Sequence, residues 1–138
     1  MKYLIGITIL FLLIGCSPGY NSSFTYEEEF ESLEDVFYWV YCEIRYVSDG
    51  PDILDDYWQS AQETYNLRTG DCEDMAIIFI EFAKDMGYEP NFIAPPLHAL
   101  AECDGTYYDP AMGSISETRD SGPALKLNYK ELMWIMNN

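Results

Sequence analysis

Positive charge is scarce in this chain. Its 138 residues hold 7 Lys and Arg against 24 Asp and Glu, for a formal net charge of −17. Neutralising phosphates takes clustered Lys and Arg, so nucleic acid is excluded as a partner. An anionic lipid surface would repel the same balance, so any membrane attachment must come from something other than charge. Histidine is scarcer still: there is one, His98. Any chemistry that needs an imidazole has to use it. No apolar run is long enough to span a bilayer, which takes about 20 residues. The longest, Tyr3 to Gly15, is 13 residues. Internal repeats are absent too.

What is present is apolar. Hydrophobic residues make up 49% of the chain and aromatics 16%, enough for one packed domain of this length and hardly two. The N-terminus carries an address. Met1-Lys2 is a short positive start, and the apolar run behind it has the length of a signal-peptide core. It ends Leu13-Ile14-Gly15-Cys16, which resembles the bacterial lipobox. That resemblance implies cleavage before Cys16, acylation of its thiol, and a protein exported and held at the membrane by lipid, since several acyl chains give stable anchoring. Residues 1–15 then form a lipoprotein signal peptide and residues 16–26, small and polar with Pro18 and Gly19, a tether. The domain is residues 27–138.

Within it, Phe30, Leu33, Phe37, Val40, Tyr41 and Ile44 recur at helical spacing, which predicts an amphipathic helix from about Glu27 to Tyr46 with Tyr38 and Trp39 toward the core. Ser48-Asp-Gly-Pro51 breaks it. A short helix is expected around Asp56 to Tyr65, with Tyr57 and Trp58 anchoring it. Asp71 stands where an N-cap should, before a run from Cys72 to Met86 that is apolar almost all round and so predicts a buried helix, with Gly87 closing it. Strands are expected over Tyr88–Ala94, Leu97–Cys103 and Thr106–Asp109. The last two are joined by Asp104-Gly105, a strong hairpin signal, and a short strand near Ile115 follows. Asn128 to Met136 reads as a closing helix. Helices followed by an antiparallel meander make an α+β domain: a buried helix bearing Cys72 at its N-terminus, packed on a small sheet. Cys42 and Cys103 form a candidate disulfide, which on the chain-entropy model would stabilise by about 4 kcal/mol; two independent buried thiols fit the sequence equally well.

A thiol is a nucleophile as thiolate, and a helix N-terminus beside an imidazole favours that form. Cys72 is placed for the first and His98 is the one residue able to supply the second. Residues paired across the Asp104-Gly105 turn bring Asp109 within one pleat of His98, where a carboxylate can fix the ring's tautomer. Gly70-Asp71-Cys72, His98-Ala99 and Tyr108-Asp109-Pro110, with Tyr57-Trp58-Gln59 leading in, resemble the transglutaminase-like superfamily, most closely its bacterial cysteine proteinases. The resemblance implies a papain-like core and a catalytic triad of Cys72, His98 and Asp109. It also implies an oxyanion site with Trp58 or Gln59 as a donor beside the Cys72 N–H, and a protein or peptide amide as substrate. The chain departs from the pattern at Leu100, where an aromatic is usual. Hydrolysis, transfer to an amine and a non-catalytic binding module on the same fold all remain open, and the chemistry requires no cofactor. Asp71, Glu73 and Asp74 crowd the thiol with negative charge; a Ca²⁺ held by them, as in some periplasmic members of the superfamily, would relieve it.

Overall fold

The computed structural model describes residues 24–50, 57–120 and 122–138. The signal peptide, Cys16 and most of the tether lie outside the described residues, as do residues 51–56. Among the described residues the chain is α+β, with four helices, a five-stranded antiparallel sheet and a two-stranded parallel pair.

The first helix, α1, runs Leu33–Glu43 and starts six residues later than the periodicity predicts. Ser32 caps it: its hydroxyl accepts the Asp35 N–H, and the Asp35 carboxylate accepts the Ser32 N–H at 2.9 Å. This reciprocal box defines the start more strongly than the helical spacing of Phe30. Phe30 instead ends an extended segment whose rings, with Phe24 and Tyr26, close on Phe82 at centroid distances of 4.8, 5.1 and 4.6 Å. Trp39 joins that cluster at 5.2 Å, but Tyr38 is 59% exposed and does not belong to the core.

A two-residue strand, β1 (Arg45–Tyr46), pairs in parallel with β2 (Thr69–Gly70), putting Tyr46 opposite Gly70. Between them lies α2, Ala61–Leu67, capped by Ser60. It too starts later than expected, because the Ser60 hydroxyl takes the Glu63 N–H. Of its expected anchors, Trp58 is partly buried, 5.1 Å from the Phe92 ring, while Tyr57 is exposed. Arg68 follows in the left-handed region (φ 56°), its guanidinium over both the Trp39 and Tyr65 rings at 4.5 and 4.2 Å and paired with Glu28 at 3.4 Å. The extended N-terminal segment is thereby fastened to the residue just before β2.

The central helix, α3, is Cys72–Asp85, and Met75 through Ala83 are buried without interruption. Gly87 (φ 92°) closes it as predicted, with the Tyr88 N–H reaching back to the Ala83 carbonyl. The strands β3 (Asn91–Ala94), β4 (Leu100–Cys103), β5 (Thr106–Asp109) and β6 (Ser114–Ser116) form the expected meander. Ala101 pairs with Tyr108 and Cys103 with Thr106. Asp104 and Gly105 both have positive φ, the geometry of the two-residue turn their sequence predicts. A strand the sequence did not reveal, β7 (Leu125–Asn128), pairs with the free side of β3 and leads into α4, Tyr129–Met136. Ala99, Ala101, Cys103 and Tyr108 are buried against α3, with Tyr108 stacked on Phe79 at 4.8 Å. The candidate disulfide is not formed. Both thiols are free: Cys42 lies on the exposed side of α1, while Cys103 is buried in β4.

Phe82 is where the extended segment, α1 and α3 meet. Phe82→Ala removes a fully buried ring from four aromatic neighbours and is expected to cost about 3–5 kcal/mol. Urea unfolding checks this; a loss below about 1 kcal/mol would show that the cluster is not part of the cooperative core.

Candidate active site

The site forms where α3 begins and the β4–β5 hairpin opens. Cys72 is the first residue of α3, and a reciprocal box places it there. Asp74 accepts the Asp71 N–H at 3.1 Å and the Asp71 side chain takes the Asp74 N–H. The second Asp74 oxygen accepts the Gln59 N–H at 2.8 Å. Asp74 is fully buried, and a Cβ on Gly70 would stand 2.6 Å from its Cβ, so glycine is needed at that position.

His98 reaches the site from a tight turn. Its N–H bonds the Pro95 carbonyl at 3.2 Å, and Leu97, at φ 61°, takes a conformation that branched side chains rarely adopt. Asp109 ends β5. The two side chains meet, His98 Nε2 to Asp109 Oδ2, at 2.6 Å, while Asp109 Oδ1 accepts the Met112 N–H at 3.0 Å. The carboxylate is therefore held from both ends, and it raises the pKa of His98 against the opposing effect of burial. Directly after His98, the Ala99 N–H is a hydrogen-bond donor to the Cys72 sulfur. Imidazole and carboxylate are thus paired, and the Cys72 sulfur lies beside the residue that follows His98. A cleft of about 330 Å³ opens on the His98–Asp109 pair, bounded by Pro95, Leu100, Tyr107, Ser114 and Arg119.

The thiol is nevertheless held as a thiol. Cys72 Sγ donates to Glu73 Oε2 at 3.0 Å, and burial first, then Glu73, push its pKa up to about 12. The same carboxylate acts on His98 as well. Glu73 thus acts on both the thiol and the imidazole.

Three acids lie around the thiol, Asp71, Glu73 and Asp74. Among the described residues no group of three His, Cys, Asp or Glu side chains converges as metal ligands. Their oxygens are committed instead to backbone N–H groups and to the thiol. Protonation relieves the crowding. Burial and the neighbouring carboxylates raise Asp71 to about 7 and Asp74 to about 6.

Of the two oxyanion candidates, Gln59 is fixed beside α3 by its bond to Asp74, and its side-chain oxygen accepts the Thr64 hydroxyl at 3.2 Å. Trp58 packs on Phe92. The sequence did not single out Tyr46, which β1 sets opposite Gly70, two residues before Cys72. A two-residue strand of exposed residues leaves no periodic signal to find.

No family model matches the chain, and no curated protein does. Among solved structures it is similar to a protein from Cytophaga hutchinsonii designated a putative cysteine protease, with a TM-score of 0.45 and 21% identity. The match covers 70% of this chain and 42% of that one, so the chain spans less than half the length of its neighbour.

Two outcomes follow from the charges. Glu73→Gln removes the acceptor that keeps the thiol protonated, and should lower the midpoint of Cys72 alkylation by iodoacetamide by about 1–2 pH units. An unchanged midpoint would mean that Glu73 does not control the thiol. The second concerns stability. Asp71 and Asp74 bind protons more tightly folded than unfolded, where 3.8 is usual, and His98, raised above 6.5, does likewise. A folded state that binds more protons loses stability as pH rises, so Tm should increase from about pH 8 to about pH 5. The increase should shrink in Asp71→Asn, which keeps an N-cap without the charge. A Tm that falls over that range would contradict the assignment.

Proposed function

We propose that the chain is an exported, lipid-anchored cysteine peptidase or amidase with a transglutaminase-like core, acting on a protein or peptide amide. The observation that carries this reading is the His98–Asp109 pair, at 2.6 Å, set one residue from the N–H that bonds the Cys72 sulfur. In this reading the Cys72 proton passes to His98 and Sγ attacks the amide carbon. His98 then gives the proton to the leaving amine, and water releases the acyl group by the reverse use of the same base. The backbone N–H of Cys72 holds the oxyanion, with Gln59 favoured over Trp58 as second donor by its tie to α3. Before attack the S–H must turn from Glu73 toward the imidazole, a rotation about one side-chain bond.

Membrane attachment rests on Cys16 in its lipobox-like setting. Hydrolysis is favoured over transfer to an amine by the resemblance of the motifs to the bacterial cysteine proteinases. The second reading, a binding module that kept the fold without the chemistry, is favoured by one observation, the thiol held protonated by Glu73.

A peptide library incubated with the full chain, and read by mass spectrometry for new carboxyl ends, tests the proposal. Cleavage should fall at least about a thousandfold in Cys72→Ala and His98→Ala. Incorporation of a primary-amine probe in place of cleavage would identify acyl transfer. Neither product from the wild-type chain would sink the enzymatic reading and leave the binding module.

A further inference from the structure

We infer that Arg119 makes the cleft beside His98 a carboxylate subsite, so that the peptide taken there brings an acidic side chain or a free chain end next to the imidazole. The inference rests on the reading of this cleft as a peptide site, which the enzymatic and the binding-module readings share.

Cations are few in this chain, and three are already paired. Among the described residues Arg68 meets Glu28, Lys84 meets Glu89 and Lys126 meets Glu102. Of the three cations there that make no ion pair, Arg45 and Lys130 are exposed, while Arg119 is half-buried. Withdrawing a guanidinium from water without an anion beside it is unfavourable. Arg119 therefore stands as a partly desolvated charge without its counter-charge, in a protein otherwise dominated by acids. Its position is also fixed. Nη2 donates to the Gly122 carbonyl at 3.0 Å. The other donors of the planar fork stay available, and a carboxylate fits two of them at once.

The wall that Arg119 shares with His98 includes Asp109, Asp120, Tyr107 and Ser114. Asp109 is taken up by His98 and by the Met112 N–H. Asp120 is exposed and makes no ion pair with Arg119. The guanidinium thus keeps its charge for an occupant, and the Tyr107 and Ser114 hydroxyls line the same space with neutral donors. At about 330 Å³ the cleft is at the small end of ligand pockets, roughly 300–1,000 Å³, and suits a side chain or a chain end. The rest of the surface repels anions, but that repulsion is screened beyond about 8 Å at physiological ionic strength. An anionic group is held only where a cation meets it in contact.

The test uses the full chain with Cys72→Ala, which lacks the nucleophile, immobilised and offered a library of peptide twins. Each pair differs only by Glu against Gln at one position, and half the pairs carry an amidated C-terminus. Mass spectrometry counts the retained peptides. Glu twins should be enriched about tenfold over Gln twins, the effect of a charge-assisted contact. Arg119→Gln in the same background should erase the preference, and Arg119→Lys, which keeps the charge without the fork, should retain part of it. Enrichment of free over amidated C-termini, lost in the same way, would support the subsite with the chain end as its carboxylate. Twins retained equally at both ends of the peptide, or a preference that survives Arg119→Gln, would overturn the subsite and leave the peptide-site reading standing. If no peptide of any charge is retained, the cleft is not a peptide site and both readings fall.

Discussion

One buried carboxylate organises the region around the thiol. Asp74 is inaccessible to solvent and carries a charge that the interior would reject unless it were hydrogen-bonded. Its two oxygens gather N–H groups from Asp71 and from Gln59, so that the start of α3, the end of β2 and the approach to α2 are fixed relative to one another. Gly70 is glycine because Asp74 occupies the space a side chain would need. Cys72 follows two residues later, and its place against β4 depends on that packing.

The same arrangement sets two effects in opposition at the sulfur. A helix N-terminus favours a negative charge by about 0.3–1 kcal/mol, up to about 2 in a favourable partly buried geometry. Against it stand burial and Glu73, which act in the opposite direction and win. The hairpin is built the other way. Asp109 is steadied by the Met112 N–H and its bond to His98 favours the charged imidazole. The imidazole is biased toward its charged form while the thiol is held protonated, and Glu73 acts on both.

Much of this was legible in the residues. The buried helix, its Asp71 cap, the Asp104-Gly105 turn and the pairing it dictates all rest on local rules, and they bring His98 and Asp109 together. Elements defined by distant partners were not legible. Strand β7 is four residues of ordinary character until β3 pairs with it, and β1 has no hydrophobic pattern because both its side chains face water. The start of α1 misled for a different reason. Phe30 lies at helical spacing from Leu33 and Phe37, but it packs on Phe82 from an extended backbone, and the Ser32 box decided the boundary.

The protonated state of Cys72 also bears on its chemical survival. Peroxides attack thiolates, and a sulfur that gives its proton to a carboxylate is slow to take the first step toward sulfenic acid. Cys72 is both buried and a donor, whereas Cys42 stands open on α1. An oxidant reaching this molecule meets Cys42 first. The contact that keeps the Cys72 thiol protonated thus lengthens the life of its sulfur, and an exposed thiol elsewhere on the surface takes the damage.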